Sequence, residues 1–386
     1  MKQVPYAVFA LLAALLCALL AEIGWTQPSG EPLPRRAALG VTLAIDSAGA
    51  VVASVVPDGT AAAGAGMEVG DTIAALDGTP VTSIVQVQSI VGRHRGGDSL
   101  TIDIVRGGQA QRLVAELHTF PFEQLPNTVF EYGHLSIADG IRLRTIVSQP
   151  AATTAPVPAV LFLQGGGCSS IDVPWASPEI WPYSLISAIA ARGFVTMRVD
   201  KPGAGESEGP PCAEGGFHAE LAGYRAALLQ LMEDPAVDPR RVFLFGDSLG
   251  GFVAPLLANE TRVAGISAYG TIAFTPTGYP GRSDLFFREI ADVDILVAWG
   301  RIDVPVQLLH GTFDAVSTAS DHAKIAAIVN GAHPGLAVHR EFEGVDHCGT
   351  RQETAESGRD NCGGGAQVPE LIDVVLDFID KPSNAI

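Results

Sequence analysis

Ser248 sits in Gly246-Asp247-Ser248-Leu249-Gly250, the pattern G-x-S-x-G. The apolar run RVFLFG leads into it and LGGFVAPLLANE, with helical spacing, leads out. A serine held at such a sharp strand-to-helix turn has its hydroxyl lifted above the sheet, and the flanking glycines let strand and helix approach closely. The helix N-terminus and the Leu249 N–H favour negative charge on a nearby substrate oxygen. A serine of this kind becomes a nucleophile when an imidazole takes its proton and a carboxylate orients the imidazole. The chain order nucleophile, acid, histidine leads to Asp314 in VPVQLLHGTFDAVST, just after a buried strand, and to His347 in FEGVDHCGT, just after the strand LAVHREFE. Asp314 follows Ser248 by 66 residues and His347 follows Asp314 by 33. Each gap holds one or two strand–helix units, which brings all three side chains to one sheet edge. His347 is then the general base and later the general acid, and Asp314 fixes its tautomer. The chemistry is acyl transfer.

Several rivals must be weighed. With 43 glycines in 386 residues, the five-residue pattern alone is weak, and Gly205-Glu206-Ser207-Glu208-Gly209 repeats it. Ser207 lies seven residues past the strand end at Asp200, in a Pro/Gly loop with no helix directly after it, and its two glutamate neighbours oppose an oxyanion. It reads as a turn residue. Asp346 is the rival acid, but it is adjacent to His347 and more easily faces elsewhere. His310, before Gly311 at a strand end, reads as bonded to local backbone. His322, near Lys324 on a helix, reads as solvated. The tetrahedral oxyanion also needs N–H donors, and AVLFLQGGGCSS offers them after a buried strand. There Gly166, with Gly167, can turn its amide inward and join Leu249 in an oxyanion hole.

The elements that position these groups fall into two sets. From residue 128, a hairpin around Asp139-Gly140 is followed by alternating apolar strands and helical segments. That rhythm predicts an eight-stranded, mostly parallel sheet covered on both faces, over 128–386. Before it, residues 37–118 hold short alternating strands split by Gly turns and a helix in VTSIVQVQSIVGR, which make a small β/α domain. Two Pro-rich stretches, QPSGEPLPRR at 27–36 and TFPFEQLPN at 119–127, read as linkers.

Residues 37–118 resemble a PDZ domain of the bacterial protease-associated kind. ALGVTL, VVPDGTAAAGAGMEVGDTIAALDGTPV and GGDSLTIDIVRGG carry the resemblance. It implies a loop that captures a peptide C-terminal carboxylate, here Ala38 with Leu39, Gly40 and Val41, while the peptide adds as a strand. Packing or substrate gating is the alternative role. From about residue 125, GDSLG, HGTFD, VDHCG and QGGG resemble the nucleophile, acid, base and oxyanion loop of the α/β-hydrolase fold and its serine hydrolases. Gln164 departs from the His of many members. The resemblance also implies a small helical cap at 272–302, where Phe286, Phe287 and Trp299 either line an acyl pocket or pack in the core. It brings Cys168 beside Cys212 across neighbouring strands and leaves Cys348 to close a local loop with Cys362, two disulfides that stiffen loops bearing catalytic groups.

The start, Lys2 then an uncharged run from Gln3 to Ala21, reads as a signal peptide within 1–26 or, being just long enough to span a bilayer, as a membrane tether by residues 4–21. Cleavage after Ala21 or after the Gly24/Thr26 pair stays open. Leu16 before Cys17 argues against a lipoprotein site. An exported setting, periplasmic, secreted or tethered, favours pairing of the other four cysteines. No C-x-x-C or H-E-x-x-H spacing is present, so neither a metal nor another cofactor is expected. The 42 acidic against 24 basic residues, net −18, exclude general nucleic-acid binding. The expected function is an exported serine hydrolase acting on a small ester. The alternatives are a peptidase of the same fold, with the PDZ-like domain holding the peptide, and a peptide-binding scaffold with a relict hydrolase domain.

Overall fold

The computed structural model describes residues 33–172, 181–278 and 281–381. The expected signal or tether segment therefore lies outside the described residues. From Leu33 on, the chain forms one unit.

The first layer is a small antiparallel sheet built from short alternating segments. Its strands are β2 (Thr42–Ile45), β3 (Val51–Val55), β4 (Thr72–Leu76), β6 (Ser99–Arg106) and β7 (Gln109–Glu116), ordered β2-β3-β4-β6-β7. In β6 the period of two is plain: Leu100, Ile102 and Ile104 are buried in the core and their neighbours face out. Asp77 and Gly78, both at positive φ (47° and 73°), turn the chain from β4 into β5 (Thr79–Pro80), as a D-G hairpin requires. Helix α1 (Ala61–Gly64) is short. Helix α2 (Ile84–Val91) begins where Ser83 accepts from the Gln86 N–H, and it buries Val87 and Val91 beside β2. Strand β2 is an edge: nothing pairs with its outer side among the described residues. The two ends of this domain are closed by β1 (Ala37–Ala38) pairing antiparallel with β8 (His118–Thr119).

The second and larger layer has eight strands. They are β9 (Thr128–Ser136), β10 (Arg142–Pro150), β11 (Val157–Leu163), β12 (Val195–Val199), β13 (Val237–Asp247), β14 (Gly265–Tyr269), β15 (Val306–Gly311) and β16 (Ala337–Phe342). Their order is β16-β15-β14-β13-β11-β12-β10-β9, with β10 antiparallel to both its neighbours and every other pair parallel. The apolar runs are continuous because both faces are covered. In β11, Leu161 and Leu163 pack with α4 (Phe217–Glu233), α5 (Leu249–Glu260) and α8 (Ala319–Ala332). Val160 and Phe162 point the other way, against α3 (Tyr183–Ala191) and α10 (Pro369–Asp380). Between β14 and β15 lie two short helices, α6 (Asp284–Ile290) and α7 (Ile295–Trp299), in the segment expected as a cap. A further short helix, α9 (Ala355–Asp360), lies in the loop that Cys348 and Cys362 close. Among the described residues, no helix is long and apolar enough to cross a membrane.

Candidate active site

Parallel strands put their C-terminal ends along one edge, and three of the loops there converge. Strand β13 ends at Asp247, and Ser248 takes φ 52° and ψ −116°, a region that side chains rarely occupy. The turn is fixed by the Ser248 N–H donating to Tyr269 O (2.8 Å) and by the Gly251 N–H donating to Ser248 O (2.9 Å). A Cβ at Gly250 would collide with the Leu163 carbonyl, and one at Gly246 would press on Gly250 and Gly251. The two glycines of the motif therefore allow the close strand–helix approach.

His347, in the loop after β16, brings Nε2 to 2.9 Å from Ser248 Oγ and Nδ1 to 2.8 Å from Asp314 Oδ2. Asp314, in the loop after β15, is held from its other side. Its Oδ1 accepts from the Val316 and Ser317 N–H groups (2.7 and 2.9 Å), and its Oδ2 accepts from Ser317 Oγ (2.7 Å). Burial opposes charge on both partners, yet their pairing prevails. Asp314 stays below the ordinary carboxylate range through the His347 contact and the Ser317 donors. His347 is raised above the ordinary imidazole value by Asp314, with Asp247 and Asp346 adding negative charge. With Asp314 accepting at Nδ1, the neutral ring presents a bare Nε2 to the Ser248 hydroxyl.

The rivals have other work. Asp346 accepts from the Cys348 and Thr350 N–H groups on Oδ1, and from Thr350 Oγ1, Gln352 Nε2 and the Gly363 N–H on Oδ2, so it organises its own loop. Ser207 Oγ accepts from the Arg144 N–H (2.8 Å) and donates to Asp200 O (3.2 Å). His310 Nε2 meets Ser317 O at 3.3 Å. The reading of His322 as solvated is wrong. It is fully buried, its Nδ1 lies 2.8 Å from Thr318 O, and its ring stacks on His339 (centroids 5.4 Å) and sits beside His310 (4.9 Å). Strands β15 and β16 supply those two rings, so tertiary packing hides a residue that its helix alone would expose.

Gly165, Gly166 and Gly167 follow β11 and run alongside Ser248; a Cβ on Gly165 would come within 3.2 Å of Ser248 Cβ. Among the described residues no internal hydrogen bond uses the N–H of Gly166, or that of Leu249 at the first turn of α5. Gln164 donates through Nε2 to Ser169 O (2.8 Å) and so spans the base of the glycine loop. Cys168 is bonded to Cys212 and Cys348 to Cys362, with Cα atoms 5.7 and 5.4 Å apart. Ser248 stands between two hollows. One, about 180 Å³, is apolar and lined by Leu249, Ile272, Phe274, Phe286 and Val316. The other, about 370 Å³ and more open, is lined by Gln164, Gly165, Trp181, Asp247 and His347. Of the expected pocket aromatics only Phe286 reaches the apolar hollow; Trp299 is fully buried in the core and Phe287 packs against that core. Two further hollows, about 400 and 490 Å³, contain none of Ser248, Asp314 or His347. Among the described residues no His/Cys/Asp/Glu cluster is arranged to hold a metal.

Sequence reasoning missed three charged residues around the glycine loop: Lys201, Glu220 and Arg282, the last of which also lines the apolar hollow. The signal is there in part, since a lysine two residues after the fully buried strand FVTMRV must find acceptors to remain inside.

A family model described as PDZ domain matches residues 37–117. Residues 37–117 form a PDZ domain, and an α/β-hydrolase-like domain follows it. Over 76 residues the chain is 38% identical to a probable periplasmic serine endoprotease DegP-like of Ectopseudomonas mendocina, and over 74 residues 40% identical to one of Pseudomonas fulva. These matches cover 20% and 19% of this chain and only 16% and 15% of those relatives. The larger domain is similar in fold to DcsB in complex with its substrate analogue, with a TM-score of 0.50 and 16% identity over 66% of this chain and 99% of that one. The chain is also similar to a puromycin-hydrolyzing peptidase of Mycobacterium tuberculosis (0.52, 18%, covering 74% and 44%). An acylaminoacyl peptidase of Pyrococcus horikoshii is comparably similar (0.52, 11%, covering 74% and 48%). At such identities the likeness is one of fold.

Proposed function

We propose that this protein is an exported serine hydrolase that cleaves carboxylic esters through an acyl-enzyme on Ser248. The observation that carries the reading is the pair of hydrogen bonds, 2.9 and 2.8 Å, from Ser248 Oγ to His347 and from His347 to Asp314. Ser248 attacks the ester carbonyl as His347 Nε2 takes its proton. The tetrahedral oxyanion is received by the N–H groups of Gly166 and Leu249, with Gly167 beside them, each donor contributing about 3 kcal/mol. His347 then protonates the departing alcohol, and a water molecule, activated by the same nitrogen, releases the acid. The apolar hollow suits a short acyl group and the open cleft suits the leaving group. Export is supported by two disulfides, which persist in oxidising compartments.

The second reading, a peptidase, is favoured by the PDZ domain. Among the described residues, strand β2 offers an unpaired edge, and no internal hydrogen bond uses the N–H groups of Leu39, Gly40 or Val41 just before it. A peptide C-terminus fits that loop as carboxylate and that edge as an added strand. A fluorophosphonate probe should label the wild type and leave S248A unlabelled. Absent labelling of the wild type, or labelling that survives in S248A, overturns the hydrolase and leaves the scaffold reading. Rates on p-nitrophenyl esters against aminoacyl anilides decide between esterase and peptidase.

A further inference from the structure

An oxyanion hole works only if its N–H groups are aimed before the reaction begins. A glycine run cannot aim itself, because it lacks side chains and resists few rotations. Here the aim comes from behind. Lys201 Nζ donates to Gly165 O and, at 2.8 Å, to Gly167 O. Arg282 Nη1 lies 3.4 Å from the intervening Gly166 O. Glu220 joins the two cations: its Oε2 is 3.6 Å from Lys201 Nζ and its Oε1 accepts from Arg282 Nη2. All three side chains are almost wholly removed from solvent. Burial brings the Lys201 pKa down to about 8, Glu220 opposing and Arg282 assisting, so the ammonium still dominates at neutral pH.

In a planar trans peptide the C=O of one residue and the N–H of the next point in opposite directions. A cation that holds the Gly165 carbonyl therefore turns the Gly166 N–H away from itself. Gly166 and Arg282 line the hollow beside Ser248, and Lys201 does not, so the far-side grip is that of Lys201. We infer that Lys201, braced by Glu220 and seconded by Arg282, is the positioning residue of the oxyanion hole, aiming the Gly166 N–H at the reacting carbonyl by gripping the far side of the loop. Gln164 does not do this: its Nε2 donates to Ser169 O, beyond the glycine run. The inference rests on the serine-hydrolase reading above.

Lys201→Met removes the grip and leaves Glu220 paired with Arg282. Because an oxyanion contact acts in the transition state and not in the bound ground state, kcat on a p-nitrophenyl ester should fall by about 10²–10³-fold while KM stays within threefold. The inhibition constant of an aryl trifluoromethyl ketone, which adds Ser248 to give a tetrahedral oxyanion, should rise by a similar factor. That of a simple carboxylate product should not move. Glu220→Gln keeps the shape and one acceptor oxygen while slackening both cations. It should lower kcat by about tenfold with the same split, and it decides the matter should Lys201→Met not fold. If the wild type hydrolyses esters and labels at Ser248, yet both folded variants keep kcat within threefold or lose only KM, the positioning role is wrong and the hydrolase reading stands. If the wild type neither labels nor hydrolyses, both fall together.

Discussion

The chain contains G-x-S-x-G twice, and the two copies end in opposite states. At 246–250 the serine is forced to positive φ between a strand and a helix, with its hydroxyl 2.9 Å from an imidazole. At 205–209 the serine meets no imidazole among the described residues and spends its hydroxyl on the backbone of Arg144 and Asp200. Its flanking acids are spent too. Glu208 pairs with Arg142 (2.6 Å), and Glu206, fully buried, faces Arg35 (3.1 Å) and Arg144 (3.0 Å). The lesson is that the five letters specify only a place where backbones come close. The strand before and the helix after decide whether the hydroxyl is offered or consumed.

The contrast can be broken most severely at Ser248. Ser248→Ala should reduce kcat by about 10⁶-fold, read with p-nitrophenyl esters and by loss of probe labelling. Asp314→Asn should cost about 10⁴-fold in kcat through the wrong tautomer. It also carries a pH signature. Because Asp314 raises His347, the acid limb of wild-type kcat/KM should lie above the ordinary imidazole pKa, activity disappearing as pH falls and Nε2 takes a proton. In Asp314→Asn that limb should move down. At the other copy the expected losses are of stability. Glu206→Ala leaves Arg144 and Arg35 short of a buried counter-charge and should cost about 3–5 kcal/mol in urea unfolding, with Ser248 labelling retained in the folded fraction.

Two buried histidines sharpen the contrast further. His347 is bonded to a carboxylate and is raised; His322 is bonded to the Thr318 carbonyl instead, and burial, aided by His310 and His339 and only partly opposed by Thr318 and Asp314, lowers it to about 4. Above about pH 6.5 neither the folded nor the unfolded state protonates His322, so it has no effect there. Between that value and about pH 4 only the unfolded chain gains the proton, and stability should fall on acidification by up to about 3 kcal/mol. His322→Gln should flatten that part of the stability–pH curve. The smallest effect is expected at Ser207→Ala, about 1–2 kcal/mol of stability from the lost hydrogen bonds, with full labelling at Ser248.

Much of this is legible in the sequence. RVFLFG, the glycines and the helix after them announce a strand, a turn and a helix in ten or so residues, so Ser248 is readable locally. Asp314 and His347 are readable because parallel strands deliver their following loops to one edge. What stayed hidden depends on contacts between distant segments. His322 is enclosed by rings from β15 and β16, and no helical period reports that. Lys201, Glu220 and Arg282 come from three separate stretches, joined only when β12 settles beside β11. Trp299 and Phe287 looked equally suited to a pocket or a core, since both want apolar surroundings and only packing distinguishes them.

The short pairing of β1 with β8 closes the PDZ domain at its base, and the residues just before β1 reach the larger sheet's loops. Arg36 donates from its backbone to Glu206 (3.0 Å) and from its guanidinium to Asp172 O (2.9 Å), while Arg35 pairs with Asp172 and lies over the Tyr132 ring (4.6 Å). Bending at this joint would strip guanidinium groups from buried carboxylates. The PDZ domain is thus mounted like a jig and not hung like a pendulum, because the residues that lead into it are themselves pinned by buried charge.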